Sequence, residues 1–300
     1  MKKFFQKCWL AVNFGLAILT LAPILFVCNR VVFFRIRIKP LIISRLWAKW
    51  LFSVTGVKYG DDHLDMHTHR YWIFLNLGIA TTVLGIPLLA LGMFDRKKKI
   101  GHFIARFWAK WILWIIGVEY QVIGLENIQK HEQYVFVVNH QSLLDILIVY
   151  LGIPNNTSVL AKKEVYRVPL FGQAIRALGI IRVDRQNTEK RGESVIAAIH
   201  TLNKRGQSII SFVEGTRSRT GELGRFKTGG YRIALALGLP IVPVTIIGTR
   251  EVLLPDTLCL NKESKVAIIF GQPIQTKDLM APIVNELTET TKKIILENLK

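Results

Sequence analysis

The sequence contains few cysteines. Three are present among 300 residues, at positions 8, 28 and 259, and no two of them form a CxxC pair. This spacing excludes a disulfide framework and a thiolate metal site.

Acidic residues are also scarce. Asp and Glu number 21 against 40 Lys and Arg, which gives a formal net charge of +19, although half of the residues are hydrophobic. So much apolar surface excludes a disordered polyelectrolyte. A hydrophobic and basic chain is expected to bind an anionic bilayer surface, an anionic substrate or both. Nucleic acid also fits the charge, but it would not explain basic residues that flank apolar stretches, and no recognised nucleic-acid-binding motif is present. We therefore predict no nucleic-acid partner.

Two stretches are long and free of charged side chains, at 8–29 and at 71–94. Either is long enough to cross a hydrocarbon core of about 30 Å. A secretory signal is the alternative interpretation of the first stretch, but no cleavage site follows it cleanly. We therefore predict N-terminal membrane-anchoring helices.

The two stretches belong to a repeated unit. The motif Arg-x-Trp-Ala-Lys-Trp at 45–50 recurs at 106–111, an offset of 61 residues. Four residues of the first stretch, Trp9, Asn13, Gly15 and Ala17, match Trp72, Asn76, Gly78 and Ala80. Such colinear matches indicate a duplicated anchor. The resulting division is a first copy at 1–60, a polar linker at 61–70, a second copy at 71–119 and a further domain at 120–300.

Basic residues follow both apolar stretches, at 30–39 and at 96–99. If each stretch crossed the membrane once, one basic cluster would face the wrong side under the positive-inside rule. Helices that dip into the bilayer and return, or lie half-buried, keep every cluster on one side. We predict this one-sided arrangement, with the catalytic domain facing the cytoplasm at the inner or cytoplasmic membrane if the source is bacterial. Two spanning helices are the alternative.

From residue 120 onward, short β-branched runs alternate with longer amphipathic ones. Strands are predicted at 134–138, 158–160, 208–213, 241–247 and 266–270, and helices at 143–151, 189–205 and 229–237. Uninterrupted apolar strands indicate a sheet covered by helices on both faces. The predicted class is α/β with a mixed sheet, and functional sites are expected where strands end.

The first predicted site follows strand 134–138. His140 comes directly after this strand, and Asp145 lies in the following helical turn. The carboxylate can bind one imidazole nitrogen, fix the tautomer and stabilise the imidazolium, while the other nitrogen acts as a base. Helix capping and a surface role are the alternatives for the pair.

A second site follows strand 208–213. Glu214, Gly215, Thr216 and Arg217 form a turn, and further arginines and glycines follow it. The donor fork of arginine matches phosphate geometry, so this turn predicts a phosphate-binding site. Glu214 is expected either to bind within the loop or to contact a polar headgroup. A solvated basic loop is the alternative.

Together these blocks resemble those of the glycerolipid acyltransferases typified by the 1-acylglycerol-3-phosphate O-acyltransferase family. His-x4-Asp followed by Glu-Gly-Thr-Arg is the specific combination. The four blocks of the family are matched in order by residues 139–145, 179–185, 212–218 and 241–244. One departure is Val213, which stands where proline usually precedes Glu-Gly-Thr-Arg and therefore removes a φ restraint.

The resemblance implies that residues 120–300 form an acyltransferase catalytic domain, and it implies the reaction that this domain catalyses. A fatty acyl group would pass from an acyl-CoA or acyl carrier protein thioester to the sn-2 hydroxyl of 1-acylglycerol-3-phosphate (lysophosphatidic acid), which gives phosphatidic acid for phospholipid synthesis. His140 would deprotonate the acceptor hydroxyl, and Asp145 would orient His140. The substrate-binding residues that the resemblance implies are Lys162, Arg185, Glu214, Gly215, Thr216 and Arg217. It implies no metal or other cofactor, and it implies the lipid bilayer as a partner.

Two other functions fit parts of the pattern. Ser142, His140 and Asp145 would form the triad of a membrane-bound lipid hydrolase. However, Ser142 and His140 point in different directions at a helix start, and the sequence has no Gly-x-Ser-x-Gly elbow. An acyltransferase that acts on another lysophospholipid is the second alternative.

Overall fold

The computed structural model describes residues 81, 85, 88–92, 94–95, 97–167, 171–183, 188–218, 220–253, 264–277 and 283–300. Apart from Thr81, they belong to one compact unit, Leu84–Lys300. The apolar stretch 8–29, the linker and most of the stretch 71–94 lie outside the described residues, so the division into two anchor copies stays a prediction. Over the part of the chain that the structure describes, no helix is both long enough and apolar enough to cross a membrane.

The described strands form one mixed sheet, as the sequence predicted. The strands are β1 (Tyr120–Ile123), β2 (Val135–Val138), β3 (Thr157–Lys162), β4 (Ile181–Val183), β5 (Ser208–Phe212), β6 (Ile241–Ile247) and β7 (Val266–Phe270). Their order across the sheet is β1-β7-β6-β2-β5-β3-β4. Neighbours from β6 to β4 are parallel, whereas β7 is antiparallel to β6 and carries β1 parallel to itself.

Helices precede, connect and follow the strands. They are α1 (Lys99–Ile116), α2 (Leu144–Gly152), α3 (Phe171–Ala177), α4 (Thr188–Arg205), α5 (Gly229–Leu237), α6 (Thr249–Val252) and α7 (Val284–Asn298). Short 3-10 turns lie at Leu125–Asn127 and Lys163–Arg167. The predicted helices at 143–151, 189–205 and 229–237 correspond to α2, α4 and α5.

Both faces of the central strands are covered. In β2, Val135 and Val137 pack into a core with residues of α4, α5 and α7. Phe136 and Val138 point to the opposite face, because side chains alternate along a strand, and both are fully buried as well. Sequence runs without polar residues form such doubly covered strands because neither face meets water.

Helix α1 packs on α2, and one arginine fixes that contact. The Arg106 guanidinium donates hydrogen bonds to the carbonyls of Tyr150, Leu151 and Ile153 at 2.6 to 3.1 Å. These carbonyls lie at the C-terminal end of α2, where they have no partner within the helix and where a cation is favoured. Arg106 therefore holds α1 against the C-terminal end of α2.

The parallel strands bring distant parts of the sequence to one edge of the sheet. The carboxyl ends of parallel neighbours meet at the same edge, which is where α/β proteins bind ligands. His140 follows β2, Lys162 ends β3, Glu214 follows β5 and Thr249 follows β6. The candidate site is built at this edge.

Candidate active site

The end of β2 is tied to β6 before the functional residues begin. The buried side chain of Asn139 donates from Nδ2 to the Ile246 carbonyl at 2.9 Å, and its Oδ1 accepts from the Ile246 N–H at 2.7 Å. The side-chain amide of Asn139 thus donates one hydrogen bond to Ile246 and accepts one from it, as the backbone of a neighbouring strand would. It fixes the point at which the chain turns away from the sheet toward His140.

His140 and Asp145 form the predicted pair. Nδ1 of His140 lies 2.8 Å from Oδ2 of Asp145, and the two side chains are 14% and 1% exposed. Nδ1 is therefore bound by the carboxylate, and Nε2 is the nitrogen left for a substrate. Partial exposure of the imidazole beside a buried carboxylate suits a base that must reach a ligand.

Asp145 is held by four donors. Besides His140, Oδ2 accepts the backbone N–H groups of Gln141 and Ser142 at 2.6 and 2.8 Å. Oδ1 accepts the hydroxyl of Thr249 at 2.5 Å. Two N–H groups of the segment just before α2 thus point at the carboxylate, an arrangement that favours an anion.

The backbone and ring of His140 are also fixed. Its N–H donates to Glu214 Oε1 at 3.0 Å, and its carbonyl accepts from the Ser218 N–H at 2.8 Å. The imidazole stacks on the ring of Phe212, the last residue of β5, with centroids 4.2 Å apart. Contacts from β5 and from the turn that follows it therefore place the imidazole.

Glu214 has internal partners. The side chain is buried, and its Oε2 accepts the Gly224 N–H at 2.9 Å while Oε1 accepts that of His140. Of the two roles expected for Glu214, the structure supplies the one within the loop. Its carboxylate links the turn after β5 to the backbone of His140 through these hydrogen bonds.

Val213 makes a contact that proline could not. Its N–H donates to the Val138 carbonyl at 3.1 Å, which extends the pairing of β2 with β5 by one residue. Proline has no N–H and would leave this carbonyl without that donor. The hydrogen bond offsets the φ restraint that the departure from the family pattern removes.

The predicted substrate-binding residues are placed as follows. Gly215, Thr216 and Arg217 lie in the turn after β5, next to the Ser218 N–H that binds the His140 carbonyl. Gly215 has a φ of 75°, a conformation that favours glycine. Lys162 ends β3 at the same sheet edge, with a half-exposed side chain 3.8 Å from Glu164. Arg185 lies outside the described residues.

Ser142 does not form the geometry of a hydrolase triad. The residue is fully buried, and its hydroxyl donates to the Leu253 carbonyl at 2.9 Å. A nucleophilic serine would instead place that proton on an imidazole nitrogen. The structure gives Ser142 a structural hydrogen bond between α2 and the segment after α6.

A cavity of about 330 Å³ lies next to the end of β5, and neither His140 nor Asp145 lines it. Phe212, which stacks on His140, and Gly215 of the turn belong to its wall. Arg225, Lys227 and the first residues of α5 give it one basic side. The rest is mainly apolar, from Leu160, Val183, Val195, Ala198, Phe226 and Ile233. Within the described residues, no group of three or more His, Cys, Asp or Glu is arranged to hold a metal ion.

The contribution of Thr249 was not predicted from the sequence. Its hydroxyl lies on Asp145 although 104 positions separate the two residues. A lone threonine carries no motif, and only the pairing of β6 with β2 brings it to the site. The sequence feature that could have pointed to Thr249 is its position directly after the predicted strand 241–247 and Gly248, where functional residues are expected.

Comparison with known proteins finds relatives of this chain and a solved structure with a similar fold. The family model described as acyltransferase matches residues 119–247. A 1-acyl-sn-glycerol-3-phosphate acyltransferase from Cocos nucifera is 30% identical over 227 residues, which cover 75% of this chain and 73% of the relative. The corresponding Saccharomyces cerevisiae protein is 30% identical, with 62% of this chain and 61% of its own covered. A chloroplastic relative from Brassica napus is 32% identical, and the matched part spans only 56% of its length.

A solved structure shares the fold. The 1-acyl-sn-glycerophosphate acyltransferase PlsC from Thermotoga maritima superposes with a TM-score of 0.60 at 24% identity, and the match covers 77% of this chain and 95% of that one. An α/β sheet with a His–Asp pair and a match to this family model define an acyltransferase. More particularly, the chain belongs to the 1-acylglycerol-3-phosphate O-acyltransferase family.

Proposed function

We propose that the protein transfers a fatty acyl group from an acyl thioester to the sn-2 hydroxyl of 1-acylglycerol-3-phosphate, which gives phosphatidic acid. The observation that carries the proposal is the 2.8 Å hydrogen bond from His140 Nδ1 to Asp145 Oδ2 beside the Glu-Gly-Thr-Arg turn. The acceptor follows from the names of the relatives. The thiol of the donor belongs either to coenzyme A or to acyl carrier protein, and the site chemistry is the same for both.

His140 acts as the general base in this proposal. Nε2 takes the proton of the acceptor hydroxyl as its oxygen attacks the thioester carbonyl, and a tetrahedral intermediate forms. The C–S bond then breaks, an ester remains, and the departing thiolate takes the proton from the imidazolium. Asp145 holds the imidazole in the required tautomer and stabilises the imidazolium between the two transfers.

Arg217 and its neighbours bind the acceptor phosphate in this proposal. Arg217 lies directly before Ser218, whose N–H binds the His140 carbonyl at 2.8 Å, so the turn and the base share one support. A guanidinium binds a phosphate through two parallel hydrogen bonds. Lys162 at the same edge and Arg185 complete the proposed clamp, while Glu214 positions the turn from within.

The cavity beside Phe212 supports a lipid substrate. It combines apolar walls with a basic side that includes Arg225 and Lys227. Such a lining suits a molecule that has an apolar chain and an anionic group. A phosphorylated, singly acylated glycerol has both parts, and so does a long-chain acyl thioester of coenzyme A.

The outward face of α1 supports membrane contact. Ile100, Phe103 and Phe107 follow one another at helical spacing and are 43%, 69% and 42% exposed, and Phe94 before the helix is 83% exposed. A stripe of exposed aromatic and aliphatic side chains indicates contact with an apolar phase. We propose that this face lies in the cytoplasmic leaflet, from which the lipid substrate enters.

The reaction is tested with a panel of acceptors. Purified protein is incubated with a labelled acyl thioester and, separately, with lysophosphatidic acid, a lysophospholipid of another headgroup, and monoacylglycerol. We expect labelled phosphatidic acid as the main product. A higher rate with another lysophospholipid would change the acceptor, and release of free fatty acid without a lipid product would favour a hydrolase.

Membrane contact is tested separately by sedimentation with anionic vesicles. Phe103→Asp is expected to reduce the bound fraction, because it places a charge in the outward face of α1. Ile196→Asp is the matched control, since Ile196 is 68% exposed but lies on α4. Equal binding by both variants and the unaltered protein would contradict the assignment of this face.

A further inference from the structure

We infer that Thr249 is a positioning residue for acyl transfer, because its hydroxyl holds the Asp145 carboxylate in the orientation that His140 requires. The inference rests on the proposed function of the pair. Thr249 Oγ1 donates to Asp145 Oδ1 at 2.5 Å, and both residues are fully buried. Thr249 itself contacts neither the imidazole nor the substrate side of the site in this scheme. It acts through Asp145.

The division of labour between the two carboxylate oxygens explains why this hydroxyl matters. Oδ2 serves three donors, the imidazole and the N–H groups of Gln141 and Ser142. Oδ1 takes the hydroxyl of Thr249. Without that hydroxyl, Oδ1 becomes a buried acceptor that has lost its donor, which is costly in a site that water does not reach. Rotation of the carboxylate to recover a donor would draw Oδ2 away from His140.

The fold places Thr249 rigidly. Gly248 precedes it with a φ of 81°, and a Cβ there would lie only 1.9 Å from the Lys265 carbonyl oxygen, so only glycine fits this tight turn. The turn begins α6 directly beyond β6. Asn139 binds the backbone of Ile246 at the end of the same strand. The strand that delivers Thr249 is therefore locked to the strand that delivers His140.

Substitutions that remove or keep the hydroxyl test this inference. Thr249→Val keeps the shape and loses the donor, and we expect kcat to fall by about tenfold while the acceptor KM stays within about twofold. Thr249→Ser keeps the donor and should retain most of kcat. Thr245→Val is the matched control, because Thr245 is an equally buried threonine of β6 whose hydroxyl receives Asn298 rather than serving Asp145. It should keep the full kcat.

A double-mutant cycle with Asp145→Asn separates positioning from general stability. If Thr249 acts through the carboxylate, Thr249→Val should cost little further kcat once Asp145 is asparagine. Multiplicative losses in the cycle would overturn the inference, and so would a Thr249→Val enzyme with unaltered kcat or a Thr249→Ser enzyme as slow as it. Thermal melting confirms that each variant is folded, and Thr249→Ala replaces Thr249→Val if the latter is not.

The two proposals fail in different ways. If the unaltered protein transfers no acyl group to any lysolipid, the proposed function is wrong. If it does so and the losses of Thr249→Val and Asp145→Asn are independent, only the role of Thr249 is wrong.

Discussion

Two histidines of the described unit differ in what surrounds them. His140 has a carboxylate on Nδ1, backbone bonds on both sides and a ring that is partly exposed. His102, on α1, is 8% exposed, and no described residue offers a hydrogen bond to either of its ring nitrogens. Its closest aromatic neighbour is Tyr150, with ring centroids 5.7 Å apart, and the Tyr150 hydroxyl likewise finds no partner among the described residues.

The two histidines differ in their hydrogen-bond partners and in the access that solvent has to the ring. Burial and, to a smaller extent, the nearby Arg106 guanidinium lower the pKa of His102 to about 4, so this imidazole stays neutral near pH 7 and packs as an aromatic ring between α1 and α2. His140 has an acceptor for one nitrogen and an open side for the other. A histidine can therefore serve as a base only where the fold supplies both.

Replacing His140 and His102 in turn should give the largest difference in kcat between the two sites. His140→Ala removes the proposed base, and general base catalysis is typically worth 10² to 10⁴ in rate, so kcat should fall by that factor while the acceptor KM changes little. Asp145→Asn should behave alike, because it disturbs the tautomer. His102→Phe is the matched control and should keep kcat, since it replaces one packed ring by another. Steady-state kinetics with lysophosphatidic acid measure kcat and KM of all three variants. Normal turnover by His140→Ala would show that His140 is not the general base.

The pH dependence of the free energy of unfolding tests whether His102 is buried in its neutral form. The pKa of His102 is about 4 in the folded chain and near 6.5 when unfolded, so between these values the unfolded chain binds more protons. Stability from this site is present above pH 6.5 and is lost as the pH falls toward 4. Between pH 7 and pH 5 the loss should be about 2 kcal/mol. Denaturant unfolding of the protein and of His102→Phe measures it, and an equal pH dependence in both would contradict this assignment.

Replacement of Arg217, the proposed phosphate-binding residue, should change the acceptor KM more than kcat. Arg217→Ala removes a contact made in both the ground state and the transition state, so the acceptor KM should rise by about tenfold with a smaller fall in kcat. The preference for a phosphorylated acceptor over monoacylglycerol should narrow. Arg217→Lys should recover only part of the loss, because an ammonium lacks the two-point fork. Arg232→Ala, an exposed arginine on α5, is the control. An unaltered phosphate preference in Arg217→Ala would show that other residues bind the phosphate.

Much of the sheet could be predicted because its central strands are continuously apolar. β6 and β7 have the predicted bounds, and β2 and β5 are each one residue shorter than predicted. β1 was not predicted, since it is a largely exposed edge strand that includes Gln121. β4 has only three residues and gave no signal.

Helix α7 was missed for another reason. Its buried face includes Thr288 and Thr291, which interrupt the apolar periodicity that predicts a helix. Their hydroxyls find partners inside the fold, at the Val284 carbonyl for Thr288 and at the Tyr231 hydroxyl for Thr291. Burial of threonine is possible only with such partners, and the sequence does not display them.

The site divides in the same way. His140 and Asp145 are five positions apart, and one strand end and one helical turn suffice to bring them together. The internal role of Glu214 depends on the N–H of His140, 74 positions away, and the role of Thr249 depends on a strand pairing. Local motifs therefore predicted the pair, whereas its supports needed the three-dimensional fold.

The most direct test asks whether an acyl-enzyme forms. The protein is mixed with a labelled acyl thioester in the absence of any acceptor, quenched with acid, and examined for label on the chain and for released thiol. Because His140 is proposed to activate the acceptor hydroxyl itself, we expect no labelled protein and no burst of thiol until lysophosphatidic acid is added. A burst equal to the amount of enzyme, with label on the chain that Ser142→Ala abolishes, would contradict direct transfer and restore the serine triad.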